Sequence, residues 1–350
     1  MKKKILSLVL ASVLALSLVT GCGSTEEATT EATEVATTEA TTEAVATETE
    51  AKETVKATKG QDRAGNEVII PNKVDRIISM APSTTRFLID IGVADKIVAI
   101  DTNSYAYLDQ LPADVQQFDM MAPDNEALIA LNPDIIFTSG MSNAGGEDVY
   151  QSARDAGICV FDIPSSKSFD DISQDLVAIG NAVHANNATT EIVNEFNSQV
   201  AELKAIGETI TTKKKVLFEI SLPSADYPSI YTFGSGTYLD EMLTTIGAEN
   251  VTGDQEGWIS ISEEEAIAMN PDVIITNVNY VDDPVGVIKS STGWQNVTAI
   301  RNGAVYYIDA DASNQPNNHV IDATIQMAKL IYPDAFADFD DPFATAGDAE

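Results

Sequence analysis

Two related stretches decide the fold of this chain: Glu126-Ala-Leu-Ile-Ala-Leu-Asn-Pro-Asp134, which leads into Ile135-Ile-Phe-Thr138, and Glu264-Glu-Ala-Ile-Ala-Met-Asn-Pro-Asp272, which leads into Val273-Ile-Ile-Thr276. In both, a glutamate stands seven residues before the proline, and apolar residues at helical spacing lie between them. The Asn-Pro step is typical of a helix end, and the short apolar run after it is typical of a buried strand in a parallel sheet. The repeat predicts one helix-strand unit in each half of the chain.

A second pair of similar segments precedes these units. Residues 83–92 and 237–247 each combine a hydroxyl residue, a helical pattern and a closing glycine, which predicts a helix capped by Ser83 or Thr237. Apolar runs predict further strands at residues 76–79, 97–100, 216–220 and 304–308. The fold class that follows is α/β, with two Rossmann-like lobes that each contain a central, mostly parallel sheet.

The region between the halves carries helical rather than strand patterns. An apolar stripe at helical spacing runs through residues 169–183, and a longer helix is predicted for residues 189–211. Ligands of open α/β sheets bind outside the carboxyl ends of the strands, so two such lobes predict a ligand cleft between them. The predicted organisation is an N-terminal lobe at 60–187, a bridging helix at 188–212, a C-terminal lobe at 213–336 and a flexible tail at 337–350.

The first 59 residues differ from the rest. Residues 1–22 have the basic start, apolar run and small residues before Cys22 that are typical of an export signal. Residues 23–59 are rich in Thr, Glu and Ala and contain no aromatic residue, which predicts a disordered tether. The one other cysteine, Cys159, stands in an apolar run and is expected to be a small buried thiol.

The composition excludes several classes of function. The chain has 54 acidic and 20 basic residues and a net charge of -34, which disfavours nucleic-acid binding. Its two histidines, His184 and His319, and its lack of clustered cysteines disfavour a directly bound metal such as zinc. It has no Gly-x-Ser-x-Gly elbow and no histidine beside a recognisable nucleophile, so we expect no enzymatic activity.

Several segments together resemble a known family. They are Arg76-Ile-Ile-Ser-Met-Ala-Pro-Ser83, the two Glu-x6-Pro-Asp units, Gly257-Trp258-Ile-Ser-Ile-Ser262 and Gly293-Trp294-Gln-Asn-Val297 with Arg301-Asn-Gly303. In this order they resemble the substrate-binding lipoproteins of ABC importers for iron-siderophores, haem and cobalamin. The resemblance covers residues 66–335. It implies two lobes bridged by one long helix, a monomer exported and lipid-anchored through Cys22 to the outer face of the cell membrane, and a permease and ATPase as partners.

The resemblance also implies roles for two glutamates. One surface glutamate of each lobe docks onto permease arginines in this family, and Glu126 and Glu264 match those positions. Arginine-carboxylate pairs suit such a role because they orient two proteins as well as attract them. Either glutamate could instead serve its helix N-terminus, and Glu263 or Glu265 could replace Glu264.

The candidate ligand-binding residues are mostly aromatic residues in loops that follow strands, which suit a large planar or amphipathic ligand. They are Tyr105, Tyr107, Tyr227, Tyr231, Trp258 and Tyr280. Met120 and Met121 are candidates because methionine adapts to irregular ligands, and His319 because it could reach a haem or cobalt centre. For each of these, packing within the protein is the alternative interpretation.

Arg86 and Lys167 are the only basic residues expected near the cleft, and Arg86 stands where the family usually has glutamate. A strongly anionic chelate normally needs a cationic pocket. The sequence therefore favours a hydroxamate-like iron-siderophore, with cobalamin, another corrinoid or haem as the alternative, and it implies no resident cofactor. A ligand-sensing subunit of a surface receptor, or an adhesin, is the alternative from another class.

Overall fold

The structure is a computed structural model that describes residues 57–142 and 145–344. The predicted signal peptide, Cys22 and most of the predicted tether lie outside the described residues. The strands are β1 Ala57–Gln61, β2 Glu67–Pro71, β3 Ile77–Ser79, β4 Ile97–Asp101, β5 Gln116–Phe118, β6 Ile135–Phe137, β7 Cys159–Phe161, β8 Lys215–Glu219, β9 Ser229–Phe233, β10 Glu249–Asn250, β11 Trp258–Ser262, β12 Val273–Thr276 and β13 Val305–Tyr307.

The helices alternate with these strands. They are α1 Pro82–Asp90, α2 Asn125–Ala130, α3 Gln151–Asp155, α4 Phe169–Ala182, α5 Asn186–Gly207, α6 Tyr238–Thr245, α7 Glu263–Met269, α8 Pro284–Ser290, α9 Thr298–Asn302, α10 Ala310–Asn314 and α11 Val320–Ile331. Short 3-10 helices form at Ala94–Lys96, Thr102–Gln110 and Trp294–Asn296.

Two parallel sheets form the centres of the two lobes. The first has the strand order β5-β4-β3-β6-β7 and the second the order β10-β8-β12-β13, with parallel pairing throughout. Their central strands are buried, as expected for strands covered by helices on both faces. The antiparallel hairpin β1-β2 and the antiparallel strand pair β9-β11 accompany them. The predicted α/β class with mostly parallel sheets is confirmed.

The internal repeat is reproduced in backbone detail. Asn132 and Asn270, which follow α2 and α7, have left-handed φ values of 45° and 47°. The next turn places Asp134 and Asp272 in the same role: Asp134 accepts from the Arg76 backbone N–H at 2.9 Å, and Asp272 accepts from that of Lys215 at 3.0 Å. Each carboxylate thereby pairs a backbone N–H at the start of the neighbouring strand, β3 or β8.

The predicted helix caps are correct in one lobe only. Thr237 caps α6 by accepting from the Asp240 backbone N–H, as expected. In the first lobe the cap residue is Ala81, and Pro82 occupies the first turn, so Ser83 lies inside α1 and is not its cap. Proline fits the first turn because its missing N–H would be unpaired there anyway. Both helices end before a left-handed glycine, Gly92 or Gly247, as predicted.

Helix α5 connects the lobes, and it is shifted from its predicted position at 189–211 to Asn186–Gly207. It starts after His184, which has a φ of 61°. The main apolar core includes Phe137 of the first sheet, Phe196 of α5 and Phe218 of the second sheet. The two lobes therefore share one core that passes through the bridging helix.

The predicted boundaries at the two ends of the folded body also differ from the structure. Strand β1 begins at Ala57, so the last three residues of the predicted tether pair with β2. At the other end, Phe339 and Phe343 pack against the main core, although residues 337–350 were expected to be a flexible tail. Residues 345–350 lie outside the described part of the chain.

Cys159 is buried as expected, and burial raises the pKa of its thiol to about 12.

Glycines permit two close approaches of α5, and these give a stability prediction. A Cβ on Gly180 of α4 would overlap the side chain of Thr189, whereas one on Gly207 would overlap the backbone carbonyl of Thr245. We expect Gly180→Ala to destabilise the fold by about 1–3 kcal/mol, as overpacked sites do, and Thr189→Ala to recover part of the loss. Gly207→Ala should not be recovered by Thr245→Ala, because the obstacle there is backbone. Urea unfolding of the single and double variants measures both effects, and equal recovery at the two sites would contradict the packing described.

Candidate functional site

The predicted cleft residues divide into exposed and buried groups. Tyr105, Tyr227 and Tyr280 are 66%, 78% and 63% exposed, and Met121 is also exposed. All lie in segments that follow the carboxyl end of a sheet strand, where ligands of such sheets bind. Exposed aromatic side chains at this edge are available to a ligand.

Two predicted residues are buried instead. Met120 packs in a core cluster with Leu128, and its backbone carbonyl accepts from the Tyr150 hydroxyl at 3.1 Å. The Tyr107 hydroxyl donates to Gln315 Oε1 at 2.7 Å, and burial together with the charge of Asp311 raises the pKa of Tyr107 to about 12. Both positions therefore have packing roles, which was the alternative interpretation for each.

An aromatic cluster forms on the antiparallel pair of strands β9 and β11 in the second lobe. The ring of Trp258 stacks on Tyr231, with centroids 6.1 Å apart and planes 15° apart. Tyr238 and Phe233 meet Trp258 edge-on at 6.2 and 6.4 Å. In the pairing of β11 with β9, Trp258 lies opposite Phe233. Tyr231 lies two residues before Phe233 on β9 and is therefore the diagonal neighbour of Trp258. Trp258 is 47% exposed, so the cluster offers a flat aromatic surface held from behind.

Loops around this cluster are held by hydrogen bonds from their backbone. The Tyr280 hydroxyl accepts from the Leu222 backbone N–H at 2.9 Å, which connects the loops after β8 and β12. The Ser221 hydroxyl accepts from the backbone N–H of Tyr231 at 3.1 Å. Tyr231 and Trp258 thus lie on strands β9 and β11, not in loops as expected from the sequence, and Tyr280 lies in a loop held by a hydrogen bond. An ordered aromatic surface binds with a smaller entropy cost than a mobile one.

A buried carboxyl lies at the end of β8, close to these loops. Glu219 is 1% exposed, and its Oε1 atom has no hydrogen-bond partner among the described residues. Burial, with a smaller contribution from Glu263, raises the pKa of Glu219 to about 8. The side chain is therefore mostly protonated at neutral pH, which reduces the cost of burying it.

The basic side chain nearest the predicted cleft, Arg86, is engaged within the protein. Its Nε donates to Asp90 Oδ1 at 3.1 Å and approaches His319 Nε2 at 3.1 Å, and its guanidinium lies 5.9 Å from the centre of the Tyr107 ring. His319 contacts Asp90 at 2.9 Å and Asp322 at 2.7 Å, so both of its ring nitrogens are occupied. Arg86 Nε and both ring nitrogens of His319 are thus engaged in contacts within the protein.

Acidic residues add negative charge in the neighbourhood of Arg86. Burial and the charge of Asp309 raise the pKa of Asp311, and Arg86 opposes them. Lys167 is exposed and forms no ion pair among the described residues. Within residues 57–142 and 145–344, no three His, Cys, Asp or Glu side chains are grouped as a bound metal ion would require.

The two predicted docking glutamates occupy equivalent positions. Glu126 and Glu264 are exposed and are each the second residue of a helix, α2 or α7. The caps of these helices come from other residues, since Asp124 accepts from the Ala127 backbone N–H and Ser262 accepts from that of Glu265. Capping therefore does not require either glutamate.

The neighbours of Glu264 are engaged. Glu263 accepts from the Trp294 indole at 3.0 Å, and Glu265 accepts from the Ser262 backbone N–H at 2.8 Å, which completes a capping box. Glu264 has no hydrogen bond or ion pair among the described residues. Of the three adjacent glutamates, it is the one whose carboxylate is available to another protein.

The structure places residues that the sequence did not single out next to the predicted candidates. They are Tyr238, Asp90, Asp311, Gln315, Asn318 and Asp322. Most become neighbours of the predicted residues only through contacts between distant segments. Asp90 carried a local signal, since it stands four residues after Arg86 on a predicted helix.

None of the helices within the described ranges is both long and apolar enough to cross a membrane.

The chain matches the sequence model described as periplasmic binding protein over residues 77–312. An uncharacterized ABC transporter substrate-binding lipoprotein of Bacillus subtilis, YvrC, is 29% identical over 280 residues, which cover 79% of this chain and 85% of that protein. A cobalamin-binding protein of Halobacterium salinarum is 21% identical and covers 77% of this chain and 73% of its own length.

A solved structure shows the same architecture. A "possible" iron-binding (periplasmic solute-binding) protein of Staphylococcus epidermidis superposes with a TM-score of 0.64 at 28% identity, over 75% of this chain and all of that one. The family match spans both parallel sheets and helix α5. The chain therefore belongs to the periplasmic binding protein family.

Proposed function

We propose that this chain is the substrate-binding protein of an ABC importer and that it captures a metal chelate between its two lobes. The observation that carries the proposal is the half-exposed Trp258, stacked on Tyr231 and supported edge-on by Tyr238, beside the strand ends of the second lobe. Such a surface suits a planar or amphipathic ligand. The similarity to a substrate-binding lipoprotein supports the importer class.

The charges near this surface favour a neutral or weakly charged ligand. Arg86 forms an ion pair with Asp90, and the charge of Asp311 also acts on Arg86, so the positive charge of Arg86 is largely offset by acidic neighbours. A ferric hydroxamate fits these conditions, and a ferric tricatecholate, which carries several negative charges, does not. A corrinoid is the second candidate, supported by the similarity to a cobalamin-binding protein. Because both ring nitrogens of His319 are occupied by carboxylates, we do not assign it as a ligand of iron or cobalt.

Delivery to the permease would use Glu126 and Glu264. Helices α2 and α7 each end just before a sheet strand begins, at β6 or β12, so their N-termini lie towards the carboxyl edge of each sheet. The two glutamates and the predicted cleft therefore face the same general side of the molecule. A binding protein that docks through these residues would present its ligand towards the membrane partner.

The N-terminal segments complete the proposal. Residues 1–22 would direct export, Cys22 would carry the lipid anchor at the outer face of the cell membrane, and the residues up to the start of β1 would act as a tether. The lobes flanking α5 would then form the binding body. Metabolic labelling with a radioactive fatty acid, compared between the wild-type chain and Cys22→Ser, tests the anchor.

The ligand proposal is tested by thermal unfolding of the protein with a series of probes that differ in charge. A ferric trihydroxamate and cyanocobalamin should raise the midpoint of unfolding, because a ligand that binds only the folded state stabilises it in proportion to the logarithm of concentration over Kd. A ferric tricatecholate should have little effect. Trp258→Ala should abolish the stabilisation without changing the midpoint of the free protein by more than a few degrees, since the side chain is half exposed.

Two results would count against the proposal. If the tricatecholate stabilises the protein as much as the trihydroxamate, the charge argument is wrong. If haemin, cyanocobalamin and every ferric chelate fail to shift the midpoint, the chelate class is wrong.

A further inference from the structure

Polar side chains of the two lobes meet where the end of α1 faces the start of α11. Asp90 belongs to α1 of the first lobe, whereas Asn318 and His319 immediately precede α11 in the second. Asp90 Oδ2 lies 2.9 Å from His319 Nε2 and accepts from the Asn318 amide at 2.9 Å. The hydrogen bond from Tyr107 to Gln315 also crosses between the lobes. These contacts join residues that are 208 to 229 positions apart in the sequence.

Two carboxylates that face the ring of His319 favour its protonated state. Carboxylate oxygens face both ring nitrogens, Asp322 at Nδ1 and Asp90 at Nε2. A carboxylate can only accept, so both contacts require N–H groups, and a histidine with two N–H groups is the imidazolium. The neutral ring would lack one of these protons.

The neutral ring has a different partner close by. Arg86 Nε lies 3.1 Å from His319 Nε2 and also 3.1 Å from Asp90 Oδ1. If Nε2 loses its proton, it can accept from Arg86 but can no longer donate to Asp90. Loss of this proton therefore replaces the His319–Asp90 ion pair by a hydrogen bond from Arg86 to the neutral ring, which also crosses between the lobes but lacks the attraction of opposite charges. Asp90 itself is then held across the lobes by Asn318 alone.

From this geometry we infer that Asp90, Arg86, Asn318 and His319 form a proton-controlled latch, which fixes the separation of the two lobes while His319 is charged and loosens when it is neutral. The inference rests on contacts in the protein itself. It stands or fails independently of which ligand the cleft binds.

The charges that face His319 favour the latched state over a wide pH range. Burial lowers the pKa of His319, but the hydrogen bonds to Asp322 and Asp90 outweigh burial and the opposing charge of Arg86, and raise it to about 9. Among nearby groups, Tyr107 stays neutral over this range, and Asp311 is coupled to Arg86. Because the folded pKa lies above the ordinary value of 6.5, the stabilisation is complete below about pH 6.5 and is lost as the pH rises through about 9.

The first test follows the ring of His319 directly. The chain has only two histidines, so ¹⁵N-histidine labelling gives two ring signals, and the His184→Gln variant assigns them. We expect the His319 ring to titrate near pH 9 in the wild-type chain and at a pH lower by at least one unit in Asp90→Asn. A wild-type midpoint near 6.5 would overturn the inference.

The second test measures the separation of the lobes. The distance between spin labels on Ala130→Cys of α2 and Ala268→Cys of α7, which are both exposed positions, reports this separation. The labels are introduced in a Cys22→Ser variant, in which the remaining native cysteine, Cys159, is buried. We expect one narrow distance distribution at pH 6.5 and a broader one at pH 10. In Asp90→Asn the distribution should be broad at both pH values.

A matched variant separates the latch from a general loss of structure. Asp322 contacts His319 within the second lobe, three residues away, so Asp322→Asn should lower the His319 midpoint but keep the narrow distribution at pH 6.5. A distance distribution that is the same at pH 6.5 and 10 in the wild-type chain would overturn the latch. So would an Asp90→Asn variant whose distribution matches the wild type at both pH values.

Discussion

Cells that carry the double variant Glu126→Ala/Glu264→Ala should import the chelate at least tenfold more slowly than wild-type cells, although the purified variant binds the same chelate with unchanged affinity. Close charge pairs across protein interfaces contribute about 1.5 kcal/mol or more, and about 1.4 kcal/mol corresponds to a tenfold change in affinity. Two lost pairs would weaken the complex with the permease by about a hundredfold. Both glutamates are exposed and neither caps its helix, so the fold should be unaffected.

The control for this experiment removes two acidic residues elsewhere. Glu195→Ala/Glu202→Ala changes the net charge equally on exposed positions of α5 and should leave import unchanged. Glu265→Ala should lower stability slightly, because it breaks a capping box, and should leave docking intact. Normal import by the Glu126→Ala/Glu264→Ala chain would show that the permease recognises a different surface.

Phe196→Ala should cause one of the largest losses of stability among single substitutions, about 3–5 kcal/mol. Phe196 is 2% exposed in α5 and meets Phe169 of α4 edge-on, with ring centroids 5.8 Å apart. Because the main core passes from one sheet through α5 to the other, a cavity at this position should weaken both lobes together. We expect a single unfolding transition with a midpoint lower by about 6–20 °C, from about 2–4 °C per kcal/mol for a chain of this size.

The neighbouring exposed residue provides the comparison. Glu195→Ala should change the free energy of unfolding by less than about 0.5 kcal/mol, as surface substitutions usually do. Calorimetry of both variants measures the difference. Two separated transitions in Phe196→Ala would show that the lobes unfold independently and that α5 does not couple them.

The repeated units could be predicted from sequence because their signals are local. A glutamate, a helical apolar pattern, an Asn-Pro step and a β-branched run each act within about ten residues, and the structure places α2-β6 and α7-β12 where those signals stand. Strand β7 was not predicted although Cys159 was recognised in an apolar run, because no Asn-Pro step marks its start as one does for β6 and β12. The antiparallel pairing of β9 with β11 was not predicted because the two strands are far apart in sequence.

The exposure of candidate residues could be predicted from the sequence, but contacts between distant segments could not. Tyr280 lies in the loop after β12, whereas Tyr231 and Trp258 belong to strands β9 and β11, and all three side chains are exposed. Tyr107 and His319 were chosen by the same rule, yet their partners Gln315 and Asp90 lie more than 200 residues away in sequence. No local pattern contains such a pairing, because it arises only when both lobes are assembled.

The most direct test of the central claim, that this chain binds a weakly charged metal chelate on its aromatic surface, is equilibrium dialysis of the purified protein against ⁵⁵Fe-labelled ferric trihydroxamate and ⁵⁷Co-labelled cyanocobalamin. We predict saturable binding of one of these chelates, with one molecule per chain, and loss of that binding in Trp258→Ala but not in Glu126→Ala/Glu264→Ala. Absence of saturable binding of both chelates, or binding that persists unchanged in Trp258→Ala, would contradict the account.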